Sequence, residues 1–214
     1  MKTNGYIALN KDLAKLLPNK TMIRVIIKDV KILDCDKVLG IISYLDLEQG
    51  KNNQFNGQVK HEDFIKQYAK YQVGDILWIK EPAEVIDSYF NYREIVYKFT
   101  TEKKERIIDT PEQYRGKKIP KWLEYWQEIP NGCIKEMARY FIKITSIKIE
   151  KLQDIKPIDI YKEFGVDRNN YIQYIDGYEW AQNDFTNLWN STAPKDYNWE
   201  DNPYVFVYEW EYVK

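Results

Sequence analysis

Residues 19–29, NKTMIRVIIKD, place Lys20, Thr21 and Arg24 at the start of an apolar run. Cations beside a hydroxyl suit recognition of a phosphate or a carbonyl-rich group, because each donates hydrogen bonds and Arg donates in bidentate geometry. The same three residues are also typical of the solvated start of a strand. A binding role therefore requires further polar side chains from other parts of the chain.

His61 is the only histidine of the chain, which excludes metal sites built from several imidazoles. A Ser-His-Asp or Cys-His site would have to use this one residue. His61 lies in a polar, helix-like stretch, GQVKHEDFIKQYAKY, and we interpret it as a surface residue. Cys35 and Cys133 are the only cysteines and form no CxxC pair, so we predict no metal and no cofactor.

Composition and charge indicate a globular chain with a modest electrostatic field. The 214 residues are 44% apolar and carry a net charge of −1. The segment from Asp176 to the end contains eight acidic residues and two lysines, a net charge of −6, so the rest of the chain carries a net charge of +5. The chain has 18 Tyr, 7 Trp and 8 Phe, which suit either core packing or the stacking of bases. This balance favours a small or local ligand over a long nucleic acid.

The sequence shows neither an N-terminal signal segment nor an apolar run of about 18 residues. We therefore expect a cytoplasmic protein without a membrane partner. Two sparse cysteines agree with a reducing compartment.

Hydrophobic periodicity and turn residues predict short helices interspersed with strands. The predicted helices cover 10–17, 61–71, 156–165 and 178–190. The predicted strands cover 21–33, 76–81, 84–100, 138–152 and 202–213. A loop is predicted over 46–60. Residues 101–134 lack sustained β character, and short helices are expected from Thr110 and Pro120.

The elements show no regular strand–helix alternation, which disfavours a doubly wound parallel sheet. We predict an α+β fold, a small mixed β-barrel with short helices. Apolar alternation in the strand over 138–152 shifts at Ser146, as expected where a barrel strand bends. Residues 1–214 are predicted to form a single domain with insertions at about 36–70 and 101–134.

Five segments occur in an order that resembles the ASCH-like proteins of the PUA-like superfamily, in the uncharacterised branch common in phages and prophages. They are NKTMIR, GDILWIKE, EMARYFIKITSIKIEKLQDI, FTNLWNS and NPYVFVYEWE. The resemblance covers the two ends and the centre of the chain, but not 36–70 or 101–134. It implies a PUA-like mixed β-barrel, with Phe185 and Trp189 on a packed helix and the last segment as the closing strand.

The resemblance also implies a polar cleft beside the barrel. The matching residues are Lys20, Thr21, Arg24, Trp78, Lys80, Glu81 and Arg139. The cations suit phosphate or a base carbonyl, Glu81 would accept from an exocyclic amine, and Trp78 or the adjacent Tyr140 would stack on a base. The structural alternative is that Arg139 simply pairs with Glu136 or Glu81 as a surface bridge of little energetic value, and that Lys80 and Glu81 point to opposite faces unless the strand bends at Pro82.

Some similar proteins with a Lys-Thr-x-Thr pattern are amidohydrolases that act on acylated cytidine. Lys20 matches the lysine of that pattern, and Glu163 lies where a helix glutamate of the set would be. Ile23 replaces the second threonine and has no nucleophile. Thr21 is about 6.6 Å away along a strand, too far to substitute for it. Catalysis is therefore disfavoured, and no catalytic residue is predicted.

Three functions follow from these observations. The leading one is a module that binds a nucleotide or single-stranded RNA in the cleft, with Glu163 included among the candidate residues. The second is an amidohydrolase that acts on acylated nucleosides. The third is a module that binds a host or phage protein through the aromatic insertion carrying Trp122, Tyr125 and Trp126.

Overall fold

The computed structural model describes residues 3–28, 30–35, 38–43, 61–88, 92–96, 105–109, 121, 127–128, 134–165 and 178–213. Helices and strands alternate irregularly along these residues, which confirms the α+β class. The chain forms two compact units. Unit 1 comprises Met1–Lys20, Asp75–Lys143 and Glu211–Lys214, and unit 2 comprises Thr21–Gly74 and Ile144–Trp210. The expectation of a single domain stays a prediction.

Unit 1 contains a short mixed sheet. Strand β1, Gly5–Ala8, runs parallel to β5, Ile76–Lys80, with Tyr6 opposite Trp78. The first residues of β10, Phe141–Lys151, pair antiparallel with β5, so that Phe141 also lies opposite Trp78. Helix α1, Lys11–Ala14, follows β1. Asn10 caps this helix, because its Oδ1 accepts from the Leu13 N–H at 2.9 Å.

A second sheet of unit 1 corrects two predictions. Its antiparallel strands have the order β8-β7-β6-β9. They are β6 Glu84–Ser88, β7 Tyr92–Val96, β8 Glu105–Asp109 and β9 Gln127–Glu128. The single strand predicted over 84–100 is wrong, and so is the absence of strands over 101–134. Charged strands at a sheet edge need few apolar residues, which explains why β8 escaped detection. Of the helices expected from Thr110 and Pro120, almost every residue lies outside the described ranges.

Unit 2 contains the remaining residues of β10, most of strand β11, Tyr204–Val213, and strand β2, Met22–Ile26. Strand β11 lies next to β10 and pairs antiparallel with β2, with Arg24 opposite Val207. A separate antiparallel pair consists of β3, Val30–Cys35, and β4, Val38–Ser43. The single strand predicted over 21–33 is therefore wrong, because it ends at Ile26 and a new strand begins at Val30. The loop predicted over 46–60 lies outside the described residues.

Three helices complete unit 2: α2 His61–Tyr68, α3 Pro157–Phe164 and α4 Tyr178–Thr192. The predicted boundaries of α3 are confirmed by Pro157 in its first turn and by Gly165 at its end. Gly165 has a φ of 65°, a left-handed conformation that costs glycine least. His61 begins α2 and is exposed, as expected.

Strand β11 is buried on both faces. Val205 and Val207 pack with α3 and α4 in an apolar cluster that also contains Met22, Leu152, Ile155, Ile160, Phe185 and Trp189. On the other face the Phe206 ring stacks on Phe64 at 5.8 Å, and Tyr208 meets Tyr71 at 5.5 Å. Burial raises the pKa of Tyr208 to about 12, although its hydroxyl accepts from the Lys70 N–H. Three aromatic residues of the last strand, Phe206, Tyr208 and Trp210, therefore form part of the core.

The described strands of neither unit close into a barrel, so the PUA-like barrel stays a prediction. Thr145 and Ser146 are consecutive exposed residues in β10, which interrupts its alternation where the sequence indicated a bend. Among the described helices, none has the length and apolar character needed to cross a bilayer.

Candidate functional site

Glu81 and Arg139 form a buried ion pair within unit 1. Strand β5 ends at Lys80, and the Ile79 N–H donates to the Tyr140 carbonyl at 2.9 Å, which places residue 81 beside Arg139. Arg139 Nε donates to Glu81 Oε1 at 2.9 Å, and Nη2 donates to Oε2 at 2.8 Å. Glu81 is fully buried, and the Arg139 side chain is 8% exposed. The predicted acid and one predicted cation therefore meet in bidentate geometry.

Burial and ion pairing act in opposite directions on Glu81. Desolvation is the larger effect and raises the pKa of its carboxyl above the ordinary 4.5. The hydrogen bonds and charge of Arg139 oppose this rise without cancelling it. Glu81 is thus a carboxylate held in a poorly solvated place by one neighbouring cation, a condition found often at functional sites.

Two tyrosines connect this pair to Lys20. The Arg139 guanidinium lies over the Tyr140 ring, 4.9 Å from its centroid, and Tyr140 meets the edge of Tyr212 at 5.6 Å. The Tyr212 hydroxyl donates to the Lys20 carbonyl at 2.7 Å, and Lys20 is fully buried. We call Lys20, Glu81, Arg139, Tyr140 and Tyr212 the Glu81 cluster. Sequence reasoning missed Tyr212 as a site residue, although Tyr212 lies in the strand predicted over 202–213.

Trp78 and Lys80 belong to a different group of unit 1. The centroids of the Trp78 and Tyr6 rings are 5.3 Å apart, and the Lys80 Nζ lies 4.9 Å from the centroid of the Tyr6 ring. Residues two apart on a strand share a face, whereas the next residue points to the other face. Lys80 and Glu81 therefore diverge, as the structural alternative expected. The predicted stacking residue Trp78 is itself covered, being 9% exposed.

Arg24 is the centre of a buried ionic network in unit 2. Its Nη1 donates to Glu163 Oε1 at 2.9 Å, and its Nη2 donates to Glu150 Oε1 at 2.6 Å. Nη2 also lies 3.5 Å from Asp159 Oδ2. The Arg24 side chain is only 1% exposed, and its guanidinium lies 5.9 Å from the Phe185 ring centroid. The predicted residues Arg24 and Glu163 thus come together as partners of each other.

Lys148 adds a second cation beside two of these carboxylates, Glu150 and Asp159. Its Nζ lies 2.8 Å from Glu150 Oε2 and 3.0 Å from Asp159 Oδ2. Burial alone would lower the pKa of Lys148, but hydrogen bonds to Glu150 and Asp159 and attraction to their charges outweigh it, so the pKa is raised. The network therefore contains two cations and three acids. Within the described ranges, no group of His, Cys, Asp or Glu side chains could hold a metal ion.

Sequence reasoning named Arg24 and Glu163 but missed Lys148, Glu150 and Asp159, although the local geometry of these residues is simple. Lys148 and Glu150 share a face of β10, and Asp159 and Glu163 are separated by one turn of α3. Neither pattern by itself indicates which buried cation lies opposite. The opposing cation is Arg24 of β2. It is held in place by the pairing of β2 with β11 and contacts Asp159 and Glu163 of α3.

Thr21 lies beside α3, and Ile23 carries no nucleophilic group. The Thr21 N–H donates to the Lys162 carbonyl at 3.0 Å, and the Thr21 carbonyl accepts from the Trp210 N–H at 3.0 Å. Thr21 therefore links α3 to β11 through its backbone. Glu163 in turn binds Arg24. These contacts support a structural role for Thr21 and Glu163, which hold α3 against β2.

No family model matches the chain, and neither a curated protein nor a solved structure matches it. The likeness to ASCH-like proteins therefore rests on the five sequence segments and the residues they carry.

Proposed function

We propose that the protein is a PUA-like binding module and that its Glu81 cluster recognises a nucleotide or a short segment of single-stranded RNA. The observation that carries the proposal is the burial of Glu81 and Arg139 as a bidentate pair beside the Tyr140 ring. Buried ion pairs are often no more stabilising than apolar residues of similar volume. Fold stability alone therefore gives little reason to bury these charges.

The chemistry of the cluster suits the edge of a nucleobase. A carboxylate accepts from an exocyclic amine, and a guanidinium donates to a ring nitrogen, a carbonyl or a phosphate. In the absence of ligand, Glu81 and Arg139 satisfy each other. A base with a donor beside an acceptor can donate to Glu81 and accept from Arg139 at the same time. Neither side chain is then left without a hydrogen-bond partner.

The aromatic residues supply the second element of recognition. Tyr140 lies under the Arg139 guanidinium and against Tyr212. Stacking of a base on an aromatic ring contributes about 1–3 kcal/mol for single-stranded ligands. The near-zero net charge of −1 favours a ligand recognised through its base over one held mainly through many phosphates.

Calorimetric titration with mononucleotides and short RNA oligomers, at low and moderate salt, tests the proposal. The variant Glu81→Gln removes the charged acceptor, whose hydrogen bonds contribute about 1.5–3 kcal/mol, so we expect affinity to fall by roughly 10- to 100-fold. Glu211→Gln is the matched control, since Glu211 is a 58% exposed carboxylate of the same unit. Absence of binding at low salt would refute the proposal, as would equal affinity in wild type and Glu81→Gln.

A further inference from the structure

Unit 2 contains an open pocket beside β2. Its volume is about 240 Å³, and its walls include Arg24, Ile26 and Lys28 on one side and Trp189, Thr192 and Ala193 on the other. The first wall arises because alternate residues of an extended chain share a face. The extended chain continues past β2, as the Ile27 N–H donates to the Tyr204 carbonyl. The second wall is the C-terminal end of α4.

Most polar groups in these walls already have partners. The Arg24 guanidinium binds carboxylates, as described above. The Thr192 hydroxyl donates to the Leu188 carbonyl at 3.0 Å, and the Trp189 indole N–H donates to the Tyr197 carbonyl at 2.8 Å. Trp189 therefore offers only ring surface to the pocket, and Ile26 and Ala193 offer only apolar atoms.

The Arg24 Nε is buried without a hydrogen-bond partner, while the two other guanidinium nitrogens bind carboxylates, so Lys28 is the exposed cation of the walls. Its side chain is exposed, and it makes no hydrogen bond or ion pair within the part of the chain that the structure describes. Lys28 lines a recess whose other residues are mostly apolar, with Arg24 and Thr192 as the two other polar side chains. A ligand that fills the pocket and carries one negative charge would complement both features.

The helix end determines which way such a ligand faces. The last carbonyls of a helix carry partial negative charge, so an anionic group is disfavoured near Thr192 and Ala193. The Arg24 guanidinium already faces three carboxylates, so the anionic group is favoured at Lys28, with the apolar body towards Trp189 and Ala193. The volume lies below the roughly 300–1,000 Å³ typical of drug-sized ligands, which limits the occupant to a small molecule.

We propose that this pocket binds a small aromatic carboxylate, with its ring against Trp189 and Ile26 and its carboxylate at Lys28. All the residues involved belong to unit 2, and the proposal stands independently of the Glu81 cluster. The ligand class follows from shape and charge, since a flat apolar body fits ring and aliphatic walls and a single anion fits a single ammonium group.

Three probes of nearly equal size separate the contributions: indole-3-acetate, its neutral amide and the cationic tryptamine. We expect the carboxylate to bind saturably in an NMR titration of the full chain, up to about fivefold more tightly than the amide, and tryptamine to bind weakest. Equal binding of carboxylate and amide would overturn the proposal, as would absence of saturable carboxylate binding.

Two variants and a control locate the site. Lys28 is exposed, so Lys28→Gln removes the charge without disturbing the core. This variant should abolish the preference for carboxylate over amide. Ala193→Leu fills the recess and should weaken both probes. Lys195→Gln, an exposed lysine of the same unit outside the walls, should leave binding unchanged. A preference that survives in Lys28→Gln, or is lost equally in Lys195→Gln, would contradict the assignment.

Discussion

Replacing Arg24 by Met tests the energetic role of the buried network in unit 2. The substitution keeps an apolar chain of similar length but removes the cation on which Glu150, Asp159 and Glu163 converge. The Arg24 side chain is 1% exposed, so water compensates little for its loss. Removing one partner of a buried ion pair costs about 3–5 kcal/mol. Lys148 retains contact with two of the acids, which favours the lower part of this range.

The assay is urea unfolding followed by circular dichroism, with a thermal scan alongside. A loss of 1 kcal/mol lowers Tm by about 2–4 °C in a domain of this size, so Arg24→Met should melt roughly 6–20 °C lower. Lys66→Met is the matched control in the same unit. The Lys66 side chain is 72% exposed and lies 3.8 Å from Asp63, a pair worth at most about 1 kcal/mol. If both variants lost the same stability, the network would not stabilise unit 2 as argued.

Three further changes test unit 1 and α3. Arg139→Met removes the groups that lower the pKa of Glu81, so this already raised pKa should rise further. A carboxyl with a folded-state pKa above its unfolded value makes stability fall as pH rises from about 4.5 through the folded value. The deficit of Arg139→Met in urea unfolding should therefore be larger at pH 7 than at pH 4.5, and a constant deficit would contradict the assignment. Tyr212→Phe removes the hydrogen bond to the Lys20 carbonyl and should cost about 0.5–1.5 kcal/mol in the same assay, where no loss would count against the contact. Gly165→Ala places a side chain at a φ of 65° and should lower the unfolding free energy by about 1–2 kcal/mol, whereas an unchanged value would show that α3 ends differently.

Local signals predicted the helices of unit 2 well. Pro157 and Gly165 determine the ends of α3 through backbone constraints that act within one turn. The strand over 21–33 could not be divided in the same way, because IRVIIKDVKIL has no proline or glycine at the break. The division follows from tertiary pairing, as β2 pairs with β11 and β3 pairs with β4.

The candidate site was predictable only in part for a related reason. The resemblance named Glu81 and Arg139 together, and their contact depends on the register of β5 with β10. The same resemblance named Arg24 and Glu163 as ligand-binding residues, but the carboxylates around Arg24 come from β10 and α3. Sequence patterns describe each element well and contain little information about which charged faces meet.

A crystal of the protein soaked with a mixture of mononucleotides tests the central claim most directly. The account predicts density for a base within hydrogen-bond distance of Glu81 and Arg139 and against the Tyr140 ring. A Glu81–Arg139 pair that remains intact in fully soaked crystals, with any nucleotide density elsewhere on the chain, would contradict it.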